Sequence, residues 1–224
     1  MVVSDRKPMS EILGFLKNAN KIILVGCNEC AAACKTGGEP ELQEMKALLE
    51  AEGKEVLGYL LPDTACNLLL GKKELKSLKN ELKDADAILS LACGDGTQTI
   101  AKNVAKQNIP VYPANNALFI GEVERVGQFG EACKACGECE LGWTGGICPV
   151  TMCAKGLING ACGGAKNGKC EVDPENDCAW VKIYERLKAL GQLDNLIEVR
   201  DPKDYSKQLN PRRHNANKKA EAEA

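Results

Sequence analysis

The stretch Lys21-Ile-Ile-Leu-Val-Gly26, followed directly by Cys27-Asn-Glu-Cys30-Ala-Ala-Ala-Cys34, decides how the first part of this chain folds. The apolar, β-branched run is typical of a strand that is buried on both faces, as in the parallel sheets of α/β proteins. The cysteines come where this strand ends. Because sites in open parallel sheets lie beyond the carboxyl ends of the strands, the stretch predicts a thiol-containing site at a sheet edge.

Helix and strand patterns alternate through the first 130 residues. The predicted elements are a helix from near Pro8, a helix from Pro40 closed by Gly53, a strand over 55–61, a helix over 74–83, a strand over 87–92, a helix after Gly96 and a short strand at 111–112. Such repetition implies parallel strands joined by right-handed crossovers. We therefore predict a small doubly wound, Rossmann-like α/β domain over residues 1–130.

The composition limits the classes of function. The chain has 224 residues, with 29 Lys and Arg against 31 Asp and Glu. This near balance argues against a nucleic-acid binder that relies on bulk charge. No segment approaches the roughly 20 apolar residues of a membrane span, and the first residues lack the apolar core of a signal peptide. We expect a soluble, cytoplasmic protein with no nucleic-acid partner and no membrane insertion.

Thirteen cysteines and one histidine, His214, define the kind of site to expect. In a cytosol that keeps thiols reduced, this density indicates metal binding rather than disulfides, and an odd number fits disulfides poorly. All of them are candidate metal ligands: Cys27, Cys30, Cys34, Cys66, Cys93, Cys133, Cys136, Cys139, Cys148, Cys153, Cys162, Cys170 and Cys178.

The five cysteines of the first domain can supply one cluster site. Cys27, Cys30 and Cys34 are close enough in sequence to wrap one cluster, and a cubane cluster takes four thiolates, often three local and one remote. Cys66 follows the second strand and Cys93 ends the third, so either can be the remote ligand. Cys93 is slightly favoured because it ends a rigid strand. Each of the two can instead be a small buried residue.

The sequence changes character at Cys133, where a cysteine- and glycine-rich stretch with little apolar periodicity begins. It predicts a loop-rich unit over residues 131–195 that metal binding holds together, ended by a helix that contains Trp180 and stops at Gly191. Residues 196–224 are predicted to be a polar tail.

Cys133-Lys-Ala-Cys136-Gly-Glu-Cys139 has the CxxCxxC spacing of bacterial ferredoxins, and Cys148-Pro149 is similar to the Cys-Pro that closes such motifs. Together with Cys148, Cys153, Cys162, Cys170 and Cys178, the triplet makes eight thiols, enough for two four-thiolate sites. The whole chain therefore allows two or three [4Fe–4S] clusters. Zinc held by four cysteines is the alternative.

Gly94-Asp-Gly96-Thr-Gln-Thr is a candidate cofactor-binding loop, because it lies between a predicted strand and a predicted helix. Backbone N–H groups at Gly94 and Gly96 can cradle a phosphate or donate to cluster sulfurs. The loop lacks the full dinucleotide fingerprint, which favours the second interpretation. Trp143 and Trp180 either shield clusters from water or belong to an ordinary core.

A longer set of motifs resembles the methylenetetrahydrofolate reductase C-terminal domain family. The motifs are Thr144-Gly-Gly-Ile-Cys148-Pro, Cys153-Ala-Lys-Gly-Leu-Ile-Asn159-Gly, Cys162-Gly-Gly, Gly168-Lys-Cys170-Glu-Val-Asp and Cys178-Ala-Trp180, with the upstream Cys27/Cys30/Cys34, Cys66 and Ala92-Cys93-Gly-Asp-Gly-Thr-Gln pattern. The resemblance covers roughly residues 20 to 195, and the glycine–cysteine string is specific.

The resemblance implies a small iron–sulfur subunit of the methylenetetrahydrofolate reductases of acetogenic and related anaerobes. In that family the small subunit passes electrons from ferredoxin or another redox module to the flavin of a separate catalytic subunit, which reduces methylene- to methyl-tetrahydrofolate. We therefore expect a non-catalytic electron-transfer subunit. The alternatives are a zinc-binding scaffold subunit of the same complex, an independent enzyme with a nucleotide at the Gly94 loop, and a zinc-ribbon nucleic-acid binder.

Overall fold

The computed structural model describes residues 1–215. Its strands are β1 (Val2–Arg6), β2 (Lys21–Val25), β3 (Glu55–Leu60), β4 (Ala87–Ser90), β5 (Val111–Pro113), β6 (Asn115–Arg125) and β7 (Gln128–Cys133). Its helices are α1 (Met9–Phe15), α2 (Cys30–Ala33), α3 (Glu39–Ala51), α4 (Leu68–Glu74), α5 (Glu81–Asp84), α6 (Gly94–Asn103), α7 (Pro149–Met152) and α8 (Ala179–Leu190). The chain divides into two compact units, Met1–Gly130 and a second that begins at Glu131.

A parallel sheet of four strands, in the order β3-β2-β4-β5, forms the centre of the first unit. β2 lies inside this sheet, and its residues from Ile22 to Val25 are at most 1% exposed. Its side chains therefore pack on both faces, as the continuous apolar run predicts. The predicted α/β class with parallel strands is confirmed.

Helices cover both faces of the parallel sheet, each over its own core. One core contains Ile22 and Leu24 of β2 together with Leu42, Met45 and Leu49 of α3. The other contains Ile23 and Val25 of β2 with Ile100 and Val104 at and just after α6. Because side chains alternate along a strand, neighbouring residues of β2 serve opposite cores.

The single helix predicted over residues 74–83 is wrong. The structure has α4 before this stretch, a 3₁₀ turn over Leu75–Leu78, and the one-turn helix α5. The predicted apolar side chains nevertheless share one core, because Leu75, Leu78 and Leu82 all pack against the same face of the sheet. Side chains three residues apart eclipse in a 3₁₀ turn, so Leu75 and Leu78 can both reach the sheet without a continuous helix.

A second, antiparallel sheet of three strands, in the order β1-β6-β7, was not predicted from the sequence. β1 pairs with β6 although more than 100 residues separate them, with Val2 opposite Ile120. β6 and β7 are joined through Gly127, whose φ of 75° is a left-handed conformation that glycine adopts readily. Pairing over such a distance in sequence leaves no local signal.

The second unit is loop-rich and has one small apolar core. Trp180, Ile183 and Leu187 of α8 are its buried residues, and Gly191 closes that helix with a φ of 69°. The predicted helix is therefore present. Within residues 1–215, no helix is long and apolar enough to cross a membrane.

Candidate metal centres

The carboxyl ends of the parallel strands lie level with one another, because Val25 of β2 is in register with Leu60 of β3 and Ser90 of β4. The winding of the chain reverses between β2 and β4, where open α/β sheets form their crevices. Cys27 follows β2 and Cys93 follows β4. Both are buried, at 6% and 8% exposed.

Two glycines hold the loop after β2 against the sheet. A Cβ atom on Gly37 would lie 2.0 Å from the carbonyl oxygen of Leu91, and one on Gly26 would lie 2.4 Å from the carbonyl oxygen of Gly37. The backbone N–H of Cys27 donates to the same Gly37 carbonyl at 2.9 Å. Main-chain packing with no room for a side chain therefore positions the loop from Cys27 to Cys34.

Small side chains allow three cysteine-bearing loops to meet at this edge. The buried cluster consists of Cys27, Ala31, Ala65 and Ala92. The two alanines that come from later loops directly precede Cys66 and Cys93 in sequence. The backbone N–H of Asn28 also donates to the Pro62 carbonyl at 2.9 Å, which ties the first loop to the one that carries Cys66.

The thiol of Cys66 lies in the electrostatic field of its neighbours. Cys66 is an exposed residue, yet partial burial of its thiol raises the pKa, and the negative charges of Asp95, Cys93 and Cys27 raise it further. Thiolates placed this close repel one another unless a bound cation offsets their charge. The loops that carry Cys27, Cys66 and Cys93 therefore meet at one sheet edge through Ala65 and Ala92, whereas the sequence left a choice between Cys66 and Cys93 as the remote ligand.

Cys34 is placed differently from the other thiols of this loop. It caps the carboxyl end of α2, and its Sγ approaches the carbonyl oxygen of Val2 in β1 at 4.0 Å. Cys30 begins the same helix and is half-buried. Among the described contacts, therefore, Cys34 is directed toward the antiparallel sheet.

Gly94 and Gly96 form the first turn of α6, with Cys93 as its N-cap residue. A Cβ atom on Gly96 would lie 2.8 Å from Cβ of Ala92 and 3.1 Å from Cβ of Ala65, so this glycine allows the loops to approach. Around Gly94 there is open space. The positive end of the α6 dipole lies at this turn, where it stabilises negative charge on a nearby thiolate group.

In the second unit, four cysteines line one cavity of about 240 Å³: Cys133, Cys136, Cys139 and Cys148. The CxxCxxC loop is tightly wound, because Ala135 and Gly137 have φ values of 49° and 82°. The N–H of Ala135 donates to Sγ of Cys133 at 3.2 Å. Donors of this kind stabilise negative charge on sulfur ligands.

The other four cysteines, Cys153, Cys162, Cys170 and Cys178, line a separate cavity of about 20 Å³. Two backbone hydrogen bonds shape it: Cys170 N–H donates to the Asn176 carbonyl at 3.0 Å, and Cys178 N–H donates to the Gly168 carbonyl at 2.7 Å. Cys153 and Cys178 pack against the core that contains Trp180. The structure therefore sorts the eight cysteines of this unit into two groups of four, which sequence spacing did not do.

The three thiol groups differ in how well they fit a metal cluster. Within residues 1–215, no set of three or more His, Cys, Asp or Glu side chains converges on a point that could hold one ion. A zinc ion draws its sulfurs to within about 4 Å of each other, since each Zn–S bond is about 2.3 Å. A cubane binds each thiolate through a different iron atom and needs a wider cavity. The 240 Å³ cavity is the roomier of the two, while the 20 Å³ cavity has room for about one water-sized sphere.

Residues after α8 clamp the CxxCxxC loop, a contact that the prediction of a polar tail from residue 196 missed. Glu138, between Cys136 and Cys139, accepts hydrogen bonds from the backbone N–H of Asp204 at 2.9 Å and from Nζ of Lys207 at 3.0 Å. The Lys207 bond is the main reason why the pKa of Glu138 is lowered, with the Asp204 bond second. Residues 216–224 of that predicted tail lie outside the described residues.

A buried ion pair completes this clamp. The side chain of Lys203 is 0% exposed and its Nζ lies 3.7 Å from Oε1 of Glu140, whose side chain is 2% exposed. Arg200 also pairs with Glu140, and Lys203 Nζ donates to the Glu138 carbonyl. The sequence signal that could have revealed the clamp is weak: two acids flank Cys139, and basic residues recur from Arg200 onward.

Replacing Lys203 with Ala is expected to lower the free energy of unfolding by about 3 kcal/mol, because removing one partner leaves the Glu140 carboxylate buried with less compensation. Urea denaturation under anaerobic conditions measures this change. Lys182→Ala is the matched control, since Lys182 pairs with Asp177 at 2.8 Å but both side chains are nearly half exposed. It should cost less than about 1 kcal/mol. An equal loss of unfolding free energy in the two variants would contradict a stabilising role for the buried Lys203–Glu140 pair.

The two tryptophans have different environments. Trp180 is 6% exposed, donates from Nε1 to the Leu157 carbonyl at 3.0 Å and lines the smaller cysteine cavity. Trp143 is 42% exposed, and the guanidinium of Arg200 lies 4.9 Å from its ring centre. The Asn159 side chain holds the Arg200 backbone in place: its Nδ2 donates to the Arg200 carbonyl, and its Oδ1 accepts from the Arg200 N–H. Trp180 alone is therefore positioned to shield thiol ligands.

Fold and thiols together define a class: an α/β domain with thiols at its sheet edge, followed by a small unit with two groups of four cysteines. Residues 112–206 match the model of the family described as Methylene-tetrahydrofolate reductase C terminal. This is the family that the glycine–cysteine motifs resemble, and the matched segment is less than half of the chain. The match contains all eight cysteines of the second unit, whereas residues 1–111 lie outside it. No curated protein matches the chain.

Proposed function

We propose that this chain is the electron-transfer iron–sulfur subunit of a methylenetetrahydrofolate reductase complex. It would relay electrons from ferredoxin or another redox module to the flavin of a separate catalytic subunit, where methylene-tetrahydrofolate is reduced to methyl-tetrahydrofolate. One observation carries the proposal: the eight cysteines of the family segment form two groups of four around two separate cavities.

Two sets of four cysteines would each bind one iron–sulfur cluster. Cys133, Cys136, Cys139 and Cys148 would bind one [4Fe–4S] cluster, and Cys27, Cys30, Cys66 and Cys93 would bind another. When bound, such clusters supply reversible one-electron transfer. The chain itself donates the Ala135 N–H to Sγ of Cys133 and places the positive end of α6 beside Cys93. Cys34 is the thirteenth cysteine and has no assigned cluster.

The test is the iron and sulfide content of anaerobically purified protein, with electron paramagnetic resonance after dithionite reduction. We expect about eight or twelve iron atoms per chain and reduced-cubane signals. Cys136→Ser should lose about four of them and slow reduction of the partner flavin. Cys178→Ser is the control, because it belongs to the other group of the same unit and should leave the first cluster in place. Unchanged iron and unchanged flavin reduction in Cys136→Ser would reject the assignment.

The smaller cavity favours a second candidate, in which Cys153, Cys162, Cys170 and Cys178 bind zinc and the second unit is partly a scaffold. A volume of about 20 Å³ needs less rearrangement for one ion than for a cluster. Metal analysis of the same samples separates the two candidates. Zinc that disappears in Cys178→Ser while iron remains would assign this group to zinc. Zinc without sulfide anywhere in the chain would replace the electron relay by the scaffold.

A further inference from the structure

The first unit has a lysine-lined groove that no part of the proposed metal chemistry uses. We define the lysine groove by Lys72, Lys76, Lys79 and Lys83, with Leu75 and Leu82 beneath them. Its volume is about 580 Å³. The four lysines follow one another at spacings of four, three and four residues, and all four line this one groove although α4, the 3₁₀ turn and α5 are separate elements.

This groove concentrates positive charge in a chain that is slightly acidic. Residues 68–83 contain five lysines and two glutamates, a net charge of +3, while the whole chain has −2. Among residues 1–215, no salt bridge involves any of the four groove lysines. The amide Nδ2 of Asn103, another groove residue, is buried without a hydrogen-bond partner. The groove thus presents unpaired donors and cations.

An exposed apolar surface connects the groove to the sheet-edge cysteines. Leu68, Leu69 and Leu70 are 47%, 80% and 46% exposed, and they open α4 directly after Cys66 and Asn67. Leu68 and Lys72 are one helical turn apart, about 6 Å along the axis. An apolar centre with a charged rim is the usual composition of a protein–protein interface.

We propose that the lysine groove and the adjoining leucines dock an acidic electron-carrier protein and place its redox centre beside Cys66. This inference rests on the proposed function and adds the site at which electrons enter. The carrier is oxidised by one electron, which passes to the group held at the sheet edge, and no bond forms or breaks. Complementary charge would chiefly speed the encounter, since steering raises association rates more than it raises affinity. The helix that contributes Lys72 to the groove also exposes three leucines one turn earlier, and an apolar surface of this kind suits a protein better than a small anion.

The experiment is stopped-flow reduction of the intact protein by an acidic two-cluster ferredoxin under anaerobic conditions, at low and high salt. Lys76→Glu/Lys79→Glu should lower the second-order rate constant at low salt about tenfold or more and flatten its salt dependence. Lys17→Glu/Lys188→Glu is the matched control, with the same change in net charge at exposed lysines that do not line the groove. Its second-order rate constant and the salt dependence of that constant should be close to those of the unsubstituted protein.

Dithionite reduction of each variant separates failure of this inference from failure of the proposed function. If Lys76→Glu/Lys79→Glu keeps its clusters, reduces with dithionite and still reacts with the ferredoxin at the original rate, the docking site is wrong although the electron relay stands. If the original protein contains no reducible cluster, both proposals fall. Strong inhibition by inorganic pyrophosphate with an unchanged salt slope would assign the groove to a small anion and overturn the inference.

Discussion

Replacing Cys66 with Ser is expected to remove about four iron atoms per chain, the content of one cubane, whereas Cys34→Ser is expected to leave the iron content unchanged. The reason is geometric. The loop that carries Cys66 meets the Cys27 and Cys93 loops through Ala65 and Ala92, while Sγ of Cys34 approaches the Val2 carbonyl oxygen. Iron and acid-labile sulfide assays on the two anaerobically purified variants measure the difference.

The two variants are matched because each makes the same chemical change in the same unit. The opposite result, with iron lost in Cys34→Ser and retained in Cys66→Ser, would mean that the local triplet of Cys27, Cys30 and Cys34 binds the cluster as sequence spacing suggests. Cys93→Ser should behave like Cys66→Ser, since the alanine before each residue packs in one cluster with the buried Cys27. Iron lost in neither variant would mean that no cluster is bound at the sheet edge.

Gly37→Ala should destabilise the first unit by about 3 kcal/mol or more, the upper range for overpacking. The new Cβ would lie 2.0 Å from the Leu91 carbonyl oxygen, and backbone rather than a flexible side chain would have to move. Since Gly37 also accepts the hydrogen bond from Cys27 N–H, the cysteine loop should shift as well. Thermal and urea denaturation, with iron content measured in parallel, test both effects.

Gly14→Ala is the control for this prediction. Gly14 lies in α1, and a Cβ atom there has nothing within 4 Å. Alanine in a helix should therefore stabilise the protein by up to about 1 kcal/mol. If Gly37→Ala proved as harmless as Gly14→Ala, the close backbone contact between the cysteine loop and β4 would be incorrect.

Sequence periodicity predicted the parallel sheet well because the signal is local. The continuous apolar run of β2 follows from burial on both faces, and the spacing of Leu42, Met45 and Leu49 follows from one buried face of α3. The antiparallel sheet escaped prediction because its pairing joins Val2 to Ile120, and each strand is half exposed. The break near Asn80 escaped it because leucine spacing alone does not distinguish a helix from a 3₁₀ turn.

By itself the sequence determined the inventory of this protein: thirteen thiols, their position at strand ends and in a glycine-rich segment, and the resemblance of that segment to a known family. Only the tertiary structure decided which thiols share a site. It brought the loops that carry Cys66 and Cys93 to one sheet edge, separated eight cysteines between two cavities and clamped the CxxCxxC loop through Lys203. Spacing along the chain limits which residues can meet locally, but loops from distant strands meet only where backbone packing at Gly37 and Gly96 allows them to approach.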